Sequence, residues 1–265
     1  MPGWPIRSDT RMPAATLPVL TLKKNEERRL LAGHLWVYSN EVDVARWCLG
    51  ETMLPRKVMS IGGRFLFNDA CDVPNTQIIY YDFPTAPVLY EVHNLRKEKG
   101  SSEMPSFRGE RVGVVVDCEG GSVSLYRGIA LDKDGKEVQR FSGGGDHFVN
   151  FIEAVRKGDR GHLNAEVEVG HISTAVTHTG NISLRVGEVA TAKQQRDAVD
   201  DTPLFNEMYD RFVAHLAANE IDLNTATLGE WLDVDTENEH QALTLYERHG
   251  FATDRIATEG HRPLP

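Results

Sequence analysis

Long apolar runs are missing from this 265-residue chain, and none approaches the ~18 residues that a membrane-spanning helix needs. A membrane protein is therefore not expected. Positive charge is also short: 29 Lys and Arg stand against 39 Asp and Glu, for a formal net charge of -10. That balance disfavours a nucleic-acid partner, which calls for clustered cations that displace counterions. The concentrated basic run, KKNEERR from Lys23 to Arg29, is diluted by its own Glu residues and reads as a solvated helix face. Cysteine is scarce as well. Cys48, Cys71 and Cys118 are an odd set without CxxC or zinc spacing, so no metal site is expected and buried thiols in the reducing cytoplasm are. The opening MPGWPIRSDTRMPAAT has prolines where a signal peptide has an apolar stretch, and residues 1–19 read as a disordered tail.

What is present is a run of strands followed by a run of helices. Lys57 to Phe67, Thr76 to Asp82, Pro87 to Asn94 and Arg111 to Cys118 are rich in β-branched and aromatic residues and bounded by Gly, Pro, Asn and Asp. Glycines in EGGS and DKDGK predict tight turns, so strands 111–118, 122–127 and 137–141 should pair as antiparallel hairpins in a sheet of about six strands. After Gly145 the period becomes helical. In DHFVNFIEAVRKG, Phe148, Phe151, Ile152 and Val155 share one face, Asp146 can cap the start and Gly158 can stop the end. A second helix is expected from Ala165 to Val186, burying Val169, Ile172 and Val176. A third, Pro203 to Asn219, carries Phe205, Met208, Phe212 and Leu216 as its apolar stripe. The predicted class is α+β: an open, mostly antiparallel sheet with helices packed on one face.

The segments DVARWCLG, LPRKVMSIGGRFLFNDACDVPNTQIIYYDFPTAPVLYEVHNL, FRGERVGVVVDCEGGSVS, DKDGKEVQRFSGGGDHFVNFIEAVRKG, HISTAVTHTGNISLRVG and TLGEWLDVDTENE carry a resemblance. From about 43 to 239 the chain resembles the C-terminal domain of the glucose-fructose oxidoreductase / inositol dehydrogenase / MocA family of NAD(P)-dependent oxidoreductases. The resemblance implies an open sheet used for contact with a sugar or polyol substrate and for dimerisation. It also implies a separate dinucleotide-binding fold, which would supply the NAD(P) site. Residues 1–42 contain no GxGxxG, no βαβ pattern and no Glu-Lys-Pro motif of the kind that supplies that family's catalytic lysine. The run SGGGD, Ser142 to Asp146, precedes a helix but follows a hairpin strand, so it reads as a bare loop. Family members carry DxxxHxxD ahead of this domain's first helix. Asp43 aligns with its last position, which leaves Asn40 at the His and Trp36 at the first Asp. Neither side chain exchanges a proton near neutral pH.

Two shorter resemblances flank that stretch. LTLKKNEERRLLAGHLWVYSNEV, residues 20–42, is similar to the opening of the PUA domain of SAM-dependent ribosomal RNA cytosine methyltransferases, with Leu35 in place of the usual Pro. Here it is expected to form a strand, a short helix and a further strand docked on the sheet. NEHQALTLYERHGF, Asn238 to Phe251, resembles the late helix and strand of GNAT-type acetyltransferases, and Tyr246 falls where that family places a general acid. No R/Q-x-x-G-x-G/A loop precedes it to hold an acetyl-CoA pyrophosphate, so residues 240–265 read as an amphipathic helix and tail.

The polar candidates for a substrate pocket are His147, His171, His178, Asn181 and Arg185. A hydrogen-bonded helix–sheet interface is the competing reading of these same residues. His171 and His178 lie two turns apart, about 10.5 Å at about 1.5 Å per residue, too far to share one metal ion. No residue is assigned a catalytic role, and no cofactor is expected to bind this chain alone. The functional expectation is a truncated or chimeric remnant of a sugar or polyol oxidoreductase. The alternatives are a homo-oligomerising interaction module working through the sheet face, and an RNA-associated protein working through the PUA-like piece.

Overall fold

The computed structural model describes residues 35–68, 73–199 and 202–236, with residues 35–39 described by their backbone. The expectations for residues 1–34, for Cys71 and for the C-terminal piece with Tyr246 lie outside these spans. Three strands come first after a helix: α1 (Leu35–Leu49), then β1 (Lys57–Gly63), β2 (Thr76–Asp82) and β3 (Val88–His93). A hairpin series follows, β4 (Val115–Cys118), β5 (Gly121–Ser124), β6 (Ile129–Asp132) and β7 (Glu137–Arg140). Then come α2 (His147–Lys157), α3 (Val167–Val186), β8 (Glu188–Val189), α4 (Ala192–Val199), α5 (Pro203–Ala218), β9 (Thr227–Leu228) and β10 (Leu232–Asp233).

The class is α+β with open antiparallel sheets, as the sequence predicts. The single sheet of the prediction is two. One has the order β3-β2-β1-β9-β8 with β10 also on β1, and the other is β4-β5-β6-β7. Residues 129–132, unassigned in the sequence reading, supply a strand of their own because the chain reverses at Tyr126 to Gly128 and again at Asp132 to Gly135. Asp132 ties the second reversal, its carboxylate accepting from the backbone N–H groups of Asp134 and Lys136 at 3.0 and 2.9 Å.

Helices cover both faces of the first sheet, not one. Met59, Ile61 and Ile78 pack with Phe205, Met208, Phe212 and Leu216 of α5, whereas Val58, Ile79 and Tyr81 pack with Val42 of α1 and Val176 of α3. Neighbouring residues of a strand point to opposite faces, so these two clusters lie on opposite sides. A strand buried on both faces loses the usual alternation and reads as a continuous apolar run. The stretch from Val58 to Gly62 is buried at every position.

Residues 35–42 are helical, where a strand was expected. The helix α1 runs without interruption from Leu35 to Leu49, through the position where the two sequence resemblances meet. No Gly or Pro interrupts it, and Val42 and Ala45 fall at i, i+3 to enter the core.

Asp146 caps α2 by accepting from the Phe148 and Val149 backbone N–H groups at 2.8 and 3.2 Å, and Gly158 closes it with φ of 63°. Its expected apolar stripe exists but faces outward: Phe148, Phe151, Ile152 and Val155 are exposed. On α3, Val176 is buried as expected, Ile172 is half-buried and Val169 is exposed. Cys48 and Cys118 are exposed rather than buried. No helix among the described residues is long and apolar enough to cross a membrane.

Candidate functional site

A buried polar seam fixes α3 on β1. Ser60 donates its backbone N–H to Ser183 Oγ at 3.0 Å and its hydroxyl to the Gly180 carbonyl at 3.0 Å. Gln77 Nε2 donates to Ser60 Oγ at 3.1 Å, and Ser183 Oγ donates to the Glu230 carbonyl at 2.7 Å. Gly229 fits here because a Cβ would stand 2.6 Å from the Ser60 carbonyl oxygen. Buried polar groups satisfied in this way set a helix's rotation as well as its position. The residues on α3's other stripe are therefore held in a defined place.

That stripe borders a cleft. Asn181, Leu184 and Arg185 of α3 meet Gly63 and Arg64 at the end of β1, the segment at Val73 and Pro74, and Thr227 of β9 around a cavity of about 200 Å³. Arg64 donates to the Val73 carbonyl oxygen at 3.0 Å, which holds its guanidinium along the rim. Ligand pockets of drug size span about 300–1,000 Å³, so this cleft is smaller than those. The lining carries two guanidiniums, an amide and a hydroxyl, groups of the kind that donate to oxygen acceptors.

Of the five pocket candidates, Asn181 and Arg185 meet at the cleft. His178 lies one turn before Asn181, half-buried, with Nδ1 making no hydrogen bond, and burial pulls its pKa below the ordinary value. His171 is exposed two turns earlier. His147 stands apart at the start of α2, exposed, with its ring against Phe148 at a centroid distance of 4.1 Å. The helix α2 packs on a short 3-10 turn at Arg160–His162, and that packing leaves its histidine away from the cleft. Arg64 and Thr227 received no role from the sequence. The pairing of Gly62 with Thr227 across β1 and β9 brings them together.

A second polar knot joins α1 to α3. Arg46 is buried, donating to Ser173 Oγ at 2.5 Å, and Ser173 donates in turn to Asp43 Oδ1 at 2.5 Å. Burial pulls the guanidinium pKa down while Asp43 and Glu51 raise it, so Asp43 acts as counter-ion to a desolvated charge. Asn40, at the position of the oxidoreductase histidine, is exposed on α1. Among the described residues, no group of three or more His, Cys, Asp or Glu is placed to hold a metal ion.

Comparison with known proteins gives two findings and one blank. A PUA-like domain family matches residues 20–47, ending inside α1. No curated protein matches the chain. Among solved structures, a candidate oxidoreductase from Klebsiella pneumoniae is similar over 84% of this chain and 55% of its own, at 15% identity and a TM-score of 0.36. The match thus spans about half of that structure's length, and likeness at that level carries no inference about activity.

Proposed function

We propose that this chain is the substrate-binding part of an NAD(P)-dependent oxidoreductase, that it holds a small polar ligand of sugar or polyol type, and that it does not transfer hydride alone. The observation that carries the reading is the cleft where Arg64, Asn181, Arg185 and Thr227 converge. The resemblance of residues 43–239 to a sugar and polyol oxidoreductase domain supports the ligand class. Trp36 and Asn40 support the missing chemistry, because they stand where that family places its proton-transfer Asp and His.

Ligand-observed NMR with glucose and myo-inositol tests the first half. Saturation transfer to the wild type that is lost in Asn181→Leu and Arg185→Ala is the expected result, and transfer that survives both substitutions removes the cleft from the reading. NADH fluorescence tests the second half: no change at millimolar cofactor is expected, and enhancement with turnover of either polyol overturns it.

A second reading, a self-associating module, draws on the exposed apolar side chains of α2 together with Tyr126, Val138 and Phe141 of the hairpin sheet region. The first sheet is covered on both faces, so association would use α2 and the hairpins. A single monomeric species in light scattering across the concentration range sinks it.

A further inference from the structure

The helix α5 is joined to β3, which stands at one end of the first sheet's strand order, by a chain of polar side chains separate from the cleft. His215 of α5 is buried, with Nε2 2.8 Å from the Arg96 carbonyl oxygen and Nδ1 2.9 Å from Nδ1 of His93 on β3. His93 Nε2 lies 3.2 Å from Glu91 Oε2. Glu91 also accepts from Arg211 of α5, whose Nε is 3.0 Å from Oε1, and Asn219 donates to the Arg96 carbonyl at 3.0 Å.

Both ends of this chain only accept. A carbonyl oxygen has no proton to give. Burial pushes the Glu91 carboxyl up, but the His93 hydrogen bond and the Arg211 guanidinium outweigh it and hold the group below the usual carboxylate range. The two outer ring nitrogens, His215 Nε2 and His93 Nε2, must therefore both donate. Two neutral imidazoles own two N–H groups in all. If both point outward, two bare lone pairs face each other at the 2.9 Å Nδ1 to Nδ1 contact. Two charged imidazoles own four, which sets two N–H groups head to head. Three N–H groups satisfy every contact, one at each end and one between the rings.

We propose that the junction of β3 with α5 is a single-proton clamp, in which His93 and His215 together carry one proton more than two neutral rings. The added proton sits toward His93, beside Glu91. Burial, with the neighbouring His93 ring acting in the same direction, pulls the His215 pKa down against the opposing pull of the Arg96 hydrogen bond and of Glu91. The other charged groups around the pair are Glu207, bonded to Arg211 at 2.9 Å, the Arg96 guanidinium, donating to the Ser102 carbonyl at 2.8 Å, and the Lys99–Glu220 ion pair beyond the end of α5. The Arg211 guanidinium is capped by the Phe107 ring at 3.9 Å, and Thr76 of β2 faces His93 across the strand pair.

The folded chain binds one proton at this pair; the unfolded chain binds two in acid and none in alkali. Stability from the clamp rises with pH where the unfolded state holds more protons and falls with pH where it holds fewer, giving a maximum between. Each limb changes the folded-to-unfolded ratio by at most about tenfold per pH unit. Release of the clamp on either side removes one polar tie between β3 and α5 and leaves the Arg211–Glu91 pair and the apolar cluster to hold the helix.

Long-range proton–nitrogen spectra of the full chain, uniformly labelled with nitrogen-15 and assigned sequentially, read the ring protons from about pH 5 to 8, where imidazoles change charge. At about pH 6, the expected pattern is two protonated nitrogens on His93 and protonation of His215 at Nε2 alone. Two neutral rings or two charged rings in the folded protein at that pH overturn the clamp. Urea unfolding of the wild type against His93→Gln adds a second reading. Loss of the alkaline fall in stability is expected for the variant, and superimposable pH profiles overturn the proposal. Where the variant does not fold, the wild-type ring spectra decide.

Discussion

The helices α5 and α2 are alike in sequence and opposite in burial. Each carries an apolar stripe at helical spacing and starts at a recognisable signal, Pro203 for α5 and the Asp146 cap for α2. Phe205, Met208, Phe212 and Leu216 of α5 are each 0% exposed, while Phe148, Phe151 and Val155 of α2 are 68%, 59% and 64% exposed. An amphipathic pattern states that a face gains from leaving water; it does not name what will cover it. Tertiary contact supplies most of a helix's stability, so α5 draws on the sheet for its stability while α2 relies more on its caps.

The comparison can be broken by mutation. Phe212→Ala empties a site packed by Met59, Ile61 and Leu216, and should cost about 3–5 kcal/mol in denaturant unfolding. A loss near zero would show α5 to be as loosely held as α2. Gly229→Ala presses a methyl group against the backbone of Ser60 and Ser183 and should cost about 1–3 kcal/mol. It should also weaken the ligand binding proposed for the cleft, because the seam it disturbs places Asn181 and Arg185. A full-strength cleft in a destabilised Gly229→Ala protein would separate the seam from the site.

A smaller effect tests the histidine on the cleft's helix. Burial holds the His178 pKa down, so the unfolded chain takes up a proton that the folded chain resists. Its contribution is intact above the unfolded value of about 6.5 and is lost as pH falls below it, by at most about 1.4 kcal/mol per pH unit. His178→Phe should flatten that acid limb in a series of urea titrations, and an unchanged limb would mean that the ring is already solvated. Smallest of all, Phe151→Ala on α2 should change stability by no more than about 0.5 kcal/mol. A loss as large as that of Phe212→Ala would reveal a partner surface on α2.

Much of the fold was legible because its signals are local. Thr76 to Asp82 is a strand from end to end, and both helix caps of α2 sit where Asp146 and Gly158 announce them. The covering of both sheet faces was also written in the chain, in the run IIYY and in VMSI with Ser60 as its one polar residue, although the prediction placed helices on one face only. The site was half legible. Asn181 and Arg185 share a helix face by their spacing of four, which any sequence shows. Arg64 and Thr227 come from opposite ends of the domain's sequence and meet through strand pairing, which local pattern does not encode. The placing of His147 depended on what α2 packs against, and the sequence is silent about that.

Helix α1 has a mechanical consequence. It is one rod from Leu35 to Leu49, fastened to α3 by Val42, Ala45 and the Arg46–Ser173–Asp43 knot. A rigid rod acts as a lever with a fixed phase. Inserting one residue between its fastened turns and its first turn would rotate whatever is attached there by about 100° and advance it by about 1.5 Å. Modules coupled through such a rod are geared to each other, so their relative orientation could be dialled one residue at a time.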